Sequence, residues 1–158
     1  MLRLAMATFV CALTTMWAFA GTVQPREGWK VLDTKLPFTT LAERLEAAVK
    51  SDKMAIVTTA SASDGAKAQG FSIAGNRVVG VYRNDFARRM LQASVAAGIE
   101  APIRFYVTEN PDGTATLSYK TPTAVFSHYF AEAAELRQLA QELDAVFEQI
   151  ATSATRCN

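Results

Sequence analysis

The sequence predicts a two-layer α+β domain. It has an antiparallel or mixed sheet of about five strands, two helices packed on one face and a further helix at the C-terminal end. Three observations carry this. Residues 103–120 alternate apolar and polar side chains on either side of the turn Asn110-Pro111-Asp112-Gly113, the pattern of a hairpin with one buried face. Three other segments place apolar residues every three or four positions, as amphipathic helices do. The segments follow the order β-α-β-β-α-β-β-α, and split β-α-β units of this kind gather their helices on one side of the sheet. At 158 residues, half hydrophobic and a fifth charged, the chain has material for one ordinary folded domain.

The chain opens on a different composition. Met1 to Ala20 has a positive start at Arg3, an uncharged apolar run from Leu4 to about Trp17, and small residues at Ala18 and Ala20. Those are the three parts of a secretory signal peptide, with cleavage expected between Ala20 and Gly21. The run is short for a membrane span, so no stable insertion is expected after cleavage. Cys11 lacks the preceding small residues of a lipidated cysteine. The expected location is the periplasm or the exterior.

Removal of this leader takes away Arg3, leaving 15 Lys and Arg against 15 Asp and Glu. A neutral chain has no long-range field to draw nucleic acid or an anionic membrane. The cut also removes Cys11. Cys157 then stands alone near the C-terminus, so the core must hold the fold without an internal disulfide.

Residues 21–28 form a lead-in. Residues 29–36 alternate weakly and read as a first strand, broken by Pro37 and Phe38. A helix follows: Thr40 and Glu43 have capping-box spacing, Leu41, Leu45, Ala48 and Val49 form one stripe, and Glu46 and Lys50 lie one turn apart. The β-branched run 54–62 reads as a buried strand and 63–70 as a loop with at most one helical turn. Residues 77–83 form a third strand. Asn84 or Asp85 caps a helix that places Phe86, Ala87, Met90, Leu91, Ser94 and Val95 on one side and ends at Gly98. In the hairpin Ile103, Phe105 and Val107 share one face, while Arg104, Tyr106 and Thr108 share the other. From about Ala131 to Ala151 a long stripe holds Leu136, Leu139, Ala140, Leu143, Val146, Phe147 and Ile150. That helix docks on the domain's own core or on a second subunit.

The stretch from Arg83 to Pro122 resembles the domain-of-unknown-function 302 (DUF302) family. Asn84 and Ala87 stand at that family's helix start. Ala101-Pro102 precede its valine-rich strand, Val107 to Glu109 end it, and Gly113 and Pro122 mark the turn and the closing proline. With the opening strand, helix and strand, the resemblance spans residues 29–125 and leaves 126–152 as a helical extension and 153–158 as a tail. Two positions depart from the pattern: Asp85 replaces a proline, and Ile103 stands where a cysteine often follows Leu-Pro. No thiol chemistry is therefore carried over. The resemblance implies a fold and a dimer, in an exported member of proteobacterial type, and no reaction.

The chemistry-bearing residues are few. After leader removal one His and one Cys remain, 29 positions apart, too few for a zinc site of Cys and His ligands. Cys-x-x-Cys-His is absent, which excludes covalent haem. Neither a Gly-x-Ser-x-Gly elbow nor a phosphate loop occurs. No catalytic residue, metal or cofactor is expected. His128, in the aromatic stretch Val125 to Phe130, is expected to pack the joint before the last helix, with a ligand contact as the alternative. Arg83, Arg104, Tyr106 and Lys120 could converge on a small anion. The competing reading is a solvated or subunit-facing sheet surface with local ion pairs, for example to Glu109. The first expectation for function is a non-catalytic binding or interaction module, with a homodimer through sheet faces or the last helix. An anion binder using the Arg104 and Tyr106 face comes second, and an enzyme of unknown reaction third.

Overall fold

A computed structural model describes residues 23–131 and 133–156. The leader, its cleavage point, Cys11 and Cys157 lie outside the described residues. The elements in order are β1 (Trp29–Pro37), α1 (Phe38–Ser51), β2 (Ala55–Ala60), α2 (Ala62–Ala68), β3 (Asn76–Tyr82), α3 (Asn84–Ala93), β4 (Ile103–Glu109), β5 (Thr114–Lys120), α4 (Pro122–Phe126) and α5 (Ala134–Thr155). Short 3₁₀ turns occupy Ala96–Glu100 and Ser127–Tyr129. The five strands form one antiparallel sheet in the order β1-β5-β4-β3-β2. This is the α+β class that the alternation and the helical stripes predict.

The strand alternation sends one set of side chains under the helices. Ile103, Phe105 and Val107 of β4, Leu117 and Tyr119 of β5, and Val79 and Val81 of β3 are all buried. Leu41, Leu45 and Val49 of α1 and Phe86 and Met90 of α3 close over them. The long stripe of α5 completes this core and does not remain free: Leu136, Leu139, Leu143, Phe147 and Ile150 are each at most 4 % exposed. Phe147 stacks on Phe105 at 4.6 Å between ring centres, and Tyr119 meets the same Phe105 edge-on at 5.1 Å. Three aromatic rings thus tie the central hairpin to the last helix.

The hairpin turn forms as its residues require. The Gly113 N–H donates to the Asn110 carbonyl at 2.9 Å, and Gly113 takes φ 81°, a region that glycine enters without Cβ strain. The Asp112 carboxylate accepts from the Thr114 N–H and hydroxyl. These bonds hold the carboxyl below its ordinary value, with the hydroxyl bond the larger cause.

Other local expectations give way to tertiary context. β2 is an edge strand, and its β-branched run is largely exposed, with Val57 at 49 %. Branching at Cβ favours extended backbone, but burial depends on having a neighbour on both sides. The capping box at Thr40 does not form, because α1 begins two residues earlier at Phe38 and places Thr40 inside the first turn. Glu46 pairs with Arg77 at 3.6 Å across the fold and not with Lys50. Residues 63–70 are mostly helix: Ser61 caps α2 by accepting from the Asp64 N–H at 3.0 Å. α3 stops at Ala93, because Ser94 turns extended and uses its hydroxyl to accept from the Ala97 N–H. Val95 and Ile99 consequently stand 79 % and 80 % exposed.

Candidate functional site

The sheet has a second face, which the three long helices leave open. Alternation puts Arg104, Tyr106 and Thr108 of β4 there, with Thr116, Ser118 and Lys120 of β5 and Val78 and Gly80 of β3. The register arranges them in rows that cross the strands. Val31, Ser118, Tyr106, Val78 and Ala60 lie in one row. The next row contains Trp29 paired with Lys120, and Arg104 paired with Gly80, which in turn faces Thr58.

These rows floor a cavity of ≈ 630 Å³, inside the range of roughly 300–1,000 Å³ typical of small-molecule sites. Its walls come from beyond the sheet. Ala124 and Val125 of α4 and His128 of the following 3₁₀ turn border it, as do Glu100 and, at the start of α2, Ala62. The Thr121 hydroxyl caps α4 by accepting from the Ala124 N–H, and the Asp144 carboxylate of α5 accepts from the Thr123 N–H at 2.9 Å. The Tyr129 hydroxyl donates to Glu100 at 3.0 Å, which ties the two 3₁₀ turns together along this wall.

Four of the five residues singled out by sequence converge here: Arg104, Tyr106, Lys120 and His128 all line the cavity. Arg104 is exposed and has no ion pair or hydrogen bond among the described residues. Its expected neighbour Glu109 instead accepts from the Gly75 N–H at 2.7 Å. The Lys120 ammonium lies 5.7 Å from the centre of the Trp29 ring, and the Arg26 guanidinium lies 4.9 Å from the same ring. Arg83 is elsewhere. It follows β3 as the residue before α3, bonds Asp85 through Nε at 2.9 Å and stacks over Phe86 at 4.2 Å. Burial, the largest single influence, raises the Asp85 carboxyl, but the Arg83 hydrogen bond and charge together with backbone N–H bonds outweigh it, so the net shift is downward. An arginine neutralised in this way does not serve the cavity.

His128 is not the packing ring that its aromatic neighbours predict. Phe126 fills the joint at 1 % exposure, whereas His128 is exposed at the cavity rim. Positions two apart point to different sides of any helical turn, so the burial of Phe126 at the end of α4 turns His128 outward.

Sequence reading passed over Trp29, Glu100, Asn76 and Ser118 as site residues. Ser118 is fully buried on the cavity floor, and its hydroxyl has no hydrogen-bond partner among the described residues; neither has Thr108, on the same face. A buried hydroxyl without a partner costs about 1–3 kcal/mol, so the one at Ser118 on the cavity floor marks a surface not optimised for stability alone. Tyr119 reaches the cavity from the core side. Its burial, then the nearby Glu148 and Asp144 carboxylates, push its phenol up to about 12. No group of three or more His, Cys, Asp or Glu suited to a metal occurs among the described residues, and none of their helices is long and apolar enough to cross a membrane.

The model of the family described as "Domain of unknown function DUF302" matches residues 30–153. The chain belongs to the DUF302 family. In this DUF302 domain the match continues past the hairpin through nearly all of α5, in keeping with the helix's place in the common core. The crystal structure of an uncharacterized conserved DUF302 protein from Bacillus stearothermophilus superposes with a TM-score of 0.72 at 17 % identity, covering 83 % of this chain and 100 % of that one. At that identity the likeness is one of fold. No curated protein matches the chain. The motif positions of the DUF302 resemblance have structural places here. Asn84 opens α3, Pro102 lies against Gly80, Glu109 holds the Gly75 N–H, and Pro122 is the first residue of α4.

Proposed function

We propose that this DUF302 domain is a non-catalytic binding domain that holds a small organic anion on the open face of its sheet. The leader sequence supports its acting outside the cytoplasm. One observation carries the reading: Arg104, Tyr106, Lys120 and His128, drawn from β4, β5 and the turn after α4, line a single cavity in which Arg104 has no carboxylate partner among the described residues. An unpaired guanidinium beside an ammonium binds a carboxylate or similar group by charge-assisted hydrogen bonds, about twice as strong as neutral ones. The mostly apolar floor, with a few polar groups aimed across it, is the general pattern of a small-molecule site.

The test is calorimetric titration with benzoate of the wild type, Arg104→Ala and Arg83→Ala. The reading expects saturable binding by the wild type, unchanged in Arg83→Ala and at least tenfold weaker in Arg104→Ala. Absence of saturable binding, or equal loss in both variants, would refute it.

A second reading, an interaction module, draws on one feature. β2 is an edge strand with unpaired backbone on its outer side and a half-exposed Val57. Antiparallel pairing of two such edges gives a homodimer with a continuous sheet. Sedimentation velocity tests it: a concentration-dependent dimer abolished by Val57→Lys supports it, and a monomer throughout the micromolar range contradicts it.

A further inference from the structure

Resting on the anion-binding reading, we infer that the ligand is a carboxylic amphiphile, an acid head with a linear apolar body, bound across the strands and not along them. The two rows of the open face differ in chemistry. One holds the cations, Lys120 and Arg104, with Trp29 beside Lys120. The other runs Ser118, Tyr106, Val78 and Ala60 and is apolar toward β2, where Ala62 continues it. Residues two apart on a strand share a face at a separation of roughly 7 Å, so the rows are adjacent. A head group held by Arg104 and Lys120 therefore leaves its body free to cross Tyr106 and lie on Val78, Ala60 and Ala62.

The span from β4 to β2 is two inter-strand spacings, roughly 10 Å. An extended chain of eight carbons has comparable length. No lysine, arginine or carboxylate lines the cavity at the β3 and β2 end, where Asn76 is its polar group. A compact inorganic anion would leave that surface wet and the Tyr106 ring uncovered. The unpartnered Ser118 hydroxyl lies on the cavity floor opposite Tyr106, two positions from Lys120 on β5.

The experiment is calorimetric titration with acetate, butanoate, hexanoate, octanoate and inorganic phosphate, all as free monomers. Each added methylene should tighten binding about fourfold while the chain remains on the apolar row. Val78→Thr nearly matches the side-chain shape at a half-buried position; it should weaken octanoate severalfold more than it weakens acetate, with the fold checked by circular dichroism. Affinity that is flat with chain length, or phosphate as tight as octanoate, would overturn the amphiphile assignment and leave the anion site standing. Saturable binding by none of the probes would overturn both.

Discussion

Gly80 offers a direct measure of how tightly the open face is built. It pairs with Arg104 on one side and Thr58 on the other. A Cβ placed there would lie 2.2 Å from the Thr58 hydroxyl oxygen and 3.0 Å from Cγ of Pro102. Threonine is stiff at χ1 and the proline ring cannot rotate away, so Gly80→Ala must displace one or both. Overpacking of this kind costs roughly 1–3 kcal/mol. The alanine also restricts the unfolded chain, which offsets about 0.4–1 kcal/mol. The net expectation is a loss of about 1–2 kcal/mol. Thr58→Ala removes the closer contact, so in that background Gly80→Ala should cost less than about 1 kcal/mol, a coupling of roughly 1 kcal/mol between the two sites. Urea denaturation of the four proteins closes the cycle. A neutral or stabilising Gly80→Ala, or an equal cost in both backgrounds, would show that the three residues do not meet as described.

Two further outcomes concern pH. The neutral Tyr119 phenol is favoured in the fold, first by burial and then by Glu148 and Asp144, so its contribution is complete below its unfolded value near 10 and is lost as pH rises toward about 12. The urea midpoint of the wild type should therefore fall faster between pH 9 and 11.5 than that of Tyr119→Phe, and parallel curves would contradict this. Glu142 binds Arg89 through both oxygens, at 2.7 and 2.9 Å, and that hydrogen bonding, followed by the charge of Arg89, holds its carboxyl below the ordinary value. Its stabilisation is present above the unfolded value, near 4, and disappears as pH falls through the lower folded one. The small deficit of Glu142→Gln should persist at neutral pH, shrink with added salt, and vanish in acid; a deficit independent of pH would point to packing instead.

The fold was legible in the sequence where periodicity and tertiary environment agree. The stripe from Leu136 to Ile150 and the apolar face Ile103, Phe105, Val107, Leu117 and Tyr119 are buried as their spacing demands, whereas Thr108, Thr116 and Ser118 on the opposite face are buried against it. Legibility failed where local signals compete with neighbours. Thr40 has the chemistry of a cap, but Phe38 starts the helix earlier, and the branched residues of β2 say nothing about sheet order. The site was half legible. Alternation alone put Arg104 and Tyr106 on the free face. The cavity walls, by contrast, come from residues distant in sequence, Glu100, Ala124 and His128, which no spacing rule brings together. Ser118 was visible as a face residue, but its lack of a partner is a property of the packed structure. Arg83 looked equivalent to Arg104, and only the position of Asp85 and Phe86 separates them.

Backbone amide chemical-shift mapping with octanoate on the isotopically labelled protein tests the binding account most directly. The account predicts saturable shifts concentrated at Tyr106, Val78, Ser118 and Lys120 and extending to the turn at His128, with α1 and the Arg83 corner unmoved. Shifts centred on the helical face, spread evenly over the domain, or absent at millimolar octanoate would contradict it.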